Sequence, residues 1–148
     1  MRFFLDSNII VSGLAFRGNE HALLASTFIA SEHAFVVSED VLEEVREVLR
    51  RTFPRLRDEA EEALRLLRFE VVPRGRYRGA PRDFPGLRDP KDAHVLAAAI
   101  AGRCDLIVTG DRDLLEAEPL EGTRIVRSSE ALRVLRGGSA RPGRDVGA

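Results

Sequence analysis

Short apolar runs closed by polar, turn-forming residues alternate along the chain with segments whose apolar positions recur every three or four residues. Phe3-Phe4-Leu5 is cut off by Asp6-Ser7-Asn8 and predicts a buried first strand over 2–5. Residues 9–14 predict a short helical turn that breaks near Gly18, and 21–31 a helix with Leu23, Leu24, Phe28 and Ile29 on its apolar side. A second strand falls at 34–37. Ser38 then offers an N-cap, with Glu39 and Asp40 in a first turn where the helix dipole favours negative charge. That helix runs to about residue 51 and carries Val41, Leu42, Val45, Val48 and Leu49 on one stripe. Beyond Pro54, the pattern predicts a helix over 58–67 and a third strand over 69–72. An Ala-rich helix over 91–101, closing at Gly102, precedes a fourth strand at 106–109. A helical turn at 114–115, a fifth strand at 124–126 and a helix at 128–135 complete the series.

Strands alternating with helices imply an α/β fold, with a central, mostly parallel five-stranded sheet covered by helices on both faces. The connection 73–90 holds four Pro and three Gly, too many for a regular element. Connections of that length in a compact domain are usually functional or mobile. From Gly137 onward the residues are Gly, Ser, Ala, Arg, Pro and a few others, so the expected organisation is one domain over 1–136 and a disordered tail over 137–148.

At 148 residues a single domain buries roughly two thirds of its unfolded surface and needs no staple. The lone Cys104 excludes an internal disulfide framework, no apolar run approaches the ~20 residues of a membrane span, and the first residues do not resemble a signal peptide. A reducing cytoplasm is the expected compartment. A net charge of −1 argues against a surface coated with positive potential, so any nucleic-acid contact must be local. Lys91 is the one lysine beside 22 arginines. Arg74, Arg76, Arg78, Arg82 and Arg88 crowd the 73–90 connection around Tyr77, an arrangement suited to contacting phosphates and stacking on a base, or else to a solvated loop.

The candidate chemistry lies in four acids, Asp6, Glu44, Asp92 and Asp111, at strand ends or on helices. In open α/β sheets ligands bind outside the carboxyl ends of the strands, so acids at two strand ends are candidates for one site. Gathered carboxylates repel one another, and a cation is the natural resolution. Oxygen-only donors favour Mg²⁺ or Mn²⁺, and no His or Cys pair has spacing that suggests Zn²⁺. Each acid also has a purely structural explanation. Asp6 could cap the following turn, Glu44 could face water or pair with Arg, and Asp89-Pro90-Lys91-Asp92 reads as N-cap, N1 and N3 of a helix. Asp111 and Asp113 could shape a turn after Gly110, and His94 beside Asp92 fits a packed histidine better than a base.

Taken together, Leu5-Asp6-Ser7-Asn8, the helix from Ser38 to Leu49, Asp89-Pro90-Lys91-Asp92 and Val108-Thr109-Gly110-Asp111-Arg112-Asp113 resemble the PIN-domain family. The branch they are most similar to is that of the toxins of toxin–antitoxin systems, the VapC-type ribonucleases. The resemblance spans about residues 2 to 130. It implies a three-layer α/β/α fold and a Mg²⁺- or Mn²⁺-dependent endoribonuclease whose substrate is RNA, often homodimeric and inhibited by a cognate antitoxin. By position, it places the metal-binding and catalytic acids at Asp6, Glu44, Asp92 and Asp111. Glu43 is the rival for the helix position. Asn8 and Thr109 match polar positions flanking the site, and Asp89 and Asp113 are supporting candidates. One departure stands out: Ala93 and His94 follow the third acid, where that branch usually has a polar or basic residue. A second reading is a catalytically silent PIN-like module that binds RNA or protein, and a phosphoacceptor receiver domain ranks last because Ser7 follows Asp6.

Overall fold

The computed structural model describes residues 1–29, 32–78, 87, 89–117 and 122–137. Its centre is a five-stranded sheet in the order β3-β2-β1-β4-β5, made of β1 (Arg2–Leu5), β2 (Ala34–Ser38), β3 (Phe69–Val72), β4 (Leu106–Val108) and β5 (Arg124–Val126). All four pairings are parallel, with Phe4 opposite Val36 on one side and Ile107 on the other. Between the strands run α1 (Ser7–Ala15), α2 (Asn19–Ser26), α3 (Glu39–Thr52), α4 (Arg57–Leu66), α5 (Pro90–Ala101), α6 (Arg112–Leu115) and α7 (Ser128–Leu135). The architecture is the three-layer α/β/α arrangement expected from the alternation.

The middle strands are continuous apolar runs because both sheet faces are covered. Phe3, Phe4, Leu5, Leu106, Ile107 and Val108 are all fully buried. The edge strand β3 differs: Glu70 and Val71 are exposed, and Glu70 forms a two-pronged pair with Arg2 at 2.7 and 2.9 Å. A charged edge of this kind discourages pairing with another chain.

Helix boundaries follow their caps. Asp6 caps α1 by accepting the Ser7 N–H at 2.8 Å, so a nine-residue helix begins directly after β1 rather than as the short turn expected at 9–14. Ser38 caps α3 through the Val41 N–H at 3.0 Å, as its position predicted. The helix expected over 21–31 instead spans Asn19–Ser26. Thr27 closes it by donating its hydroxyl to the Leu24 carbonyl, which leaves Phe28 and Ile29 exposed at 55% and 83%. Periodicity misassigned those two because an apolar residue on a surface turn reads like one on a buried face; residues 30 and 31 lie outside the described residues.

Gly102 ends α5, but in right-handed conformation; Arg103, at φ 54°, takes the left-handed position. Space at 102 is tight, since a Cβ there would lie 3.0 Å from Val72 Cγ2 and 3.2 Å from Val36 Cγ1 and both valines would have to give. Gly13 is tighter still, with a Cβ meeting Leu24 Cδ1 at 2.5 Å and the Glu20 carbonyl oxygen at 2.8 Å. Gly13→Val is therefore expected to push α2 away from α1 and lower stability by about 2 kcal/mol. Urea unfolding measures this, and an unshifted midpoint would contradict the close approach. The tail expected from Gly137 lies, from residue 138, outside the described residues.

Candidate metal centre

The strand order decides where the acids meet. The chain builds β1, β2 and β3 outward in one direction, then places β4 on the other side of β1. The reversal leaves a crevice at the carboxyl ends of β1 and β4, the usual ligand position in such sheets. Asp6 follows β1 and the Thr109-Gly110-Asp111 segment follows β4, so residues about a hundred positions apart become neighbours.

Hydrogen bonds hold this junction rigid. Thr109, fully buried, donates its hydroxyl to Asp6 Oδ2 at 2.7 Å and accepts the Asp111 N–H at 3.0 Å. Asn8 Oδ1 accepts the Gly110 N–H at 3.3 Å, fastening the start of α1 to the same loop. Asp111 in turn accepts the Asp113 N–H at 2.9 Å and caps α6.

The third element is the start of α5. Asp89 is its N-cap, accepting the Lys91 N–H at 2.9 Å, which leaves Asp92 free of that duty and buried at 6% exposure. Carboxylate oxygens of Asp92, Asp111 and Asp113 lie within 4.8 Å of one another. Asp6 and Glu44 stand outside that tight group. Asp6 is tied to it through Thr109. Glu44, on α3, lines a cavity shared with Asp40, Arg78, Lys91 and His94.

The rival Glu43 is exposed and its carboxylate pairs with Arg74. Glu44 forms no ion pair among the described residues, and its negative charge reaches Asp6.

Electrostatics mark this as a place short of positive charge. Burial pushes the Asp92 carboxyl up to about 6, with Asp111, Asp89, Asp6 and Asp113 adding repulsion. Burial also raises Asp6, against the hydrogen bonds from Thr109 and Ser7, and Glu44 and Asp111 push it further. Two buried acids thus resist ionising together, and a bound cation would reverse that. The oxygen-only donor set fits Mg²⁺ or Mn²⁺.

A PIN-domain model matches residues 2–113. The chain belongs to the PIN-domain family. The match runs from the first strand through the Asp92, Asp111 and Asp113 segment, so the acids of the crevice all lie within the PIN domain. A chain in the crystal structure of VapBC2 from Rickettsia felis bound to a DNA fragment from their promoter has the same fold. The TM-score is 0.59 at 17% identity, covering 86% of this chain and 98% of that chain. No curated protein matches the chain.

Of the two readings of the Arg-rich connection, base stacking by Tyr77 does not hold in this PIN domain. Tyr77 is 3% exposed and donates its hydroxyl to Asp40, so it does not stack on a base. Arg74 is likewise occupied, with Nε 2.8 Å from Asp40 Oδ1 and its guanidinium on Glu43. Arg76 donates to the Ala101 carbonyl at 2.6 Å. Arg74 and Tyr77 turn toward the protein because Asp40 and Glu39, read in the sequence only as a favourable first helical turn, supply their partners. Arg82 and Arg88 lie outside the described residues. The role of Asp40 had no local signal in the sequence, since its partners are 34 to 38 positions away.

Proposed function

We propose that the protein is a Mg²⁺- or Mn²⁺-dependent endoribonuclease, the toxin of a toxin–antitoxin pair. The observation that carries this reading is the approach of the Asp92, Asp111 and Asp113 carboxylates to within 4.8 Å, with buried Asp6 joined to them through Thr109. Asp92, Asp111 and Asp113 would hold the cation, with Asp6 and Glu44 completing the acidic wall. A bound cation supplies charge neutralisation at a phosphodiester and lowers the pKa of water enough for hydrolysis at neutral pH.

The chain's own groups do the rest. Thr109 fixes the orientation of Asp6, and Asn8 fixes the loop carrying Asp111. Lys91, exposed on the cavity beside Glu44, offers a point charge to an RNA phosphate. Membership of the PIN-domain family and the likeness in fold to a VapBC2 chain support a cognate antitoxin as protein partner; a homodimer is part of the same proposal. No helix among the described residues is long and apolar enough to cross a membrane; a cytoplasmic location is part of the same proposal.

Cleavage of a mixed RNA pool with Mg²⁺, Mn²⁺ or EDTA tests this function. Cutting is expected with either cation and none with EDTA. No cutting in any condition where a control nuclease works, or cutting indifferent to EDTA, would overturn the proposal.

A further inference from the structure

The turn after β3 is gripped from two sides. Arg74–Arg76 form a 3-10 turn, and the buried Tyr77 follows it. On one side, Asp40 in the first turn of α3 receives the Tyr77 hydroxyl, Arg74 Nε at 2.8 Å and Arg78 Nε at 3.0 Å. The neighbouring Glu39 accepts the Arg74 N–H at 2.8 Å. On the other side, Arg76 Nη2 donates to the Ala101 carbonyl at the last turn of α5, at 2.6 Å. Residues 74–78 therefore staple α3 to α5, the two helices that carry Glu44 and Asp92.

Asp40 is the hub of that staple. Its side chain is 20% exposed, and although burial raises its carboxyl, hydrogen bonds from Tyr77, Arg74 and Arg78 hold it below the usual carboxylate range. It stays ionised and fully engaged, the condition under which charge-assisted bonds are strongest. Asp40 and Arg78 also line the cavity that Glu44 shares with Lys91 and His94.

The geometry points to Asp40 as a positioning residue for the metal centre: by anchoring Tyr77, Arg74 and Arg78 on α3, it fixes the separation of Glu44 from Asp92. This rests on the metal-site reading above. As a positioning residue Asp40 acts through the two helices and not as a ligand of the cation. Mg²⁺ demands near-ideal octahedral geometry, so a small shift of α5, which carries Asp92, is felt at the ion, while Glu44 on α3 acts on it by its charge.

The test is Mn²⁺ binding to the purified full-length protein without RNA, read by electron paramagnetic resonance, for wild type, Asp40→Ala, Asp40→Asn and Tyr77→Phe. Asp40→Ala is expected to weaken Mn²⁺ binding about tenfold and to alter the spectrum of the bound ion. Tyr77→Phe keeps the ring in the core and removes only the hydroxyl, so a smaller loss in the same direction is expected. Where Asp40→Ala does not fold, by circular dichroism, Asp40→Asn and Tyr77→Phe carry the comparison.

A purely structural role would lower the melting temperature and leave affinity and spectrum at wild-type values, and that result overturns the inference alone. Wild-type protein that binds no Mn²⁺ overturns the metal-site reading, and the inference with it.

Discussion

Asp92→Asn is expected to reduce RNA cleavage by at least about 100-fold, while making the metal-free protein more stable near neutral pH. The first effect follows from removing a ligand charge from the tight group with Asp111 and Asp113. Outer-shell partners of metal ligands already account for 10- to 100-fold losses, so a direct ligand should cost no less. The second effect has the opposite sign because the native fold pays to keep Asp92 charged. Burial first, then four neighbouring carboxylates, raise its pKa from 3.8 to about 6.

Between those two values the folded state binds more protons than the unfolded chain. Stability from this group is therefore greatest in acid, falls as pH rises from about 4 to about 6, and stays low above that. The displacement is worth about 3 kcal/mol as an upper figure. Asn cannot titrate, so the variant should lose this slope and, in EDTA, melt higher than wild type at neutral pH but not in mild acid. Cation binding removes the same repulsion, so wild type should gain more from Mg²⁺ at neutral pH than in acid. Parallel melting curves for the two proteins at every pH, with and without Mg²⁺, would refute this account of the site.

The central strands were legible because each holds an apolar run stopped by a polar turn, as in Phe3-Phe4-Leu5 before Asp6 and Leu106-Ile107-Val108 before Thr109. The starts of α3 and α5 were legible for the same local reason, since Ser38 and Asp89 sit where a capping side chain is needed. What no local pattern contains is strand order. Only the placement of β4 beside β1 turns Asp6 and Asp111 into neighbours, and nothing between residues 6 and 111 encodes that adjacency by spacing. Asp113 was ranked as a supporting residue because Asp111-Arg112-Asp113 reads equally well as a turn; its approach to Asp92 depends on how α5 docks. The partners of Arg74 and Tyr77 were not legible for a related reason. Charge runs are read as solvated or ligand-binding until their partners are known, and the partners of Arg74 and Tyr77 are on α3.

Thr109→Val should show how far the acids depend on the neutral hydroxyl that links them. The substitution keeps the shape but removes the hydroxyl that donates to Asp6 Oδ2 at 2.7 Å and accepts the Asp111 N–H at 3.0 Å. Thr109 is fully buried, so water cannot readily replace it and two polar partners are left unsatisfied. The expected loss of stability is about 1–3 kcal/mol. It should also depend on pH, because the Thr109 bond is the chief influence holding down an Asp6 carboxyl that burial raises. Without it the folded-state pKa rises further, the native protein binds its proton over a wider range, and the penalty grows as pH increases from mild acid to neutrality. Cation affinity should fall roughly 10- to 100-fold, the range typical of groups that orient metal ligands. Thr109→Ser retains the hydroxyl and should recover most of that affinity even if packing suffers. Serine and valine variants with equal Mn²⁺ affinity would show that the hydroxyl does not orient the acids, and that Thr109 only fills space between β4 and α1.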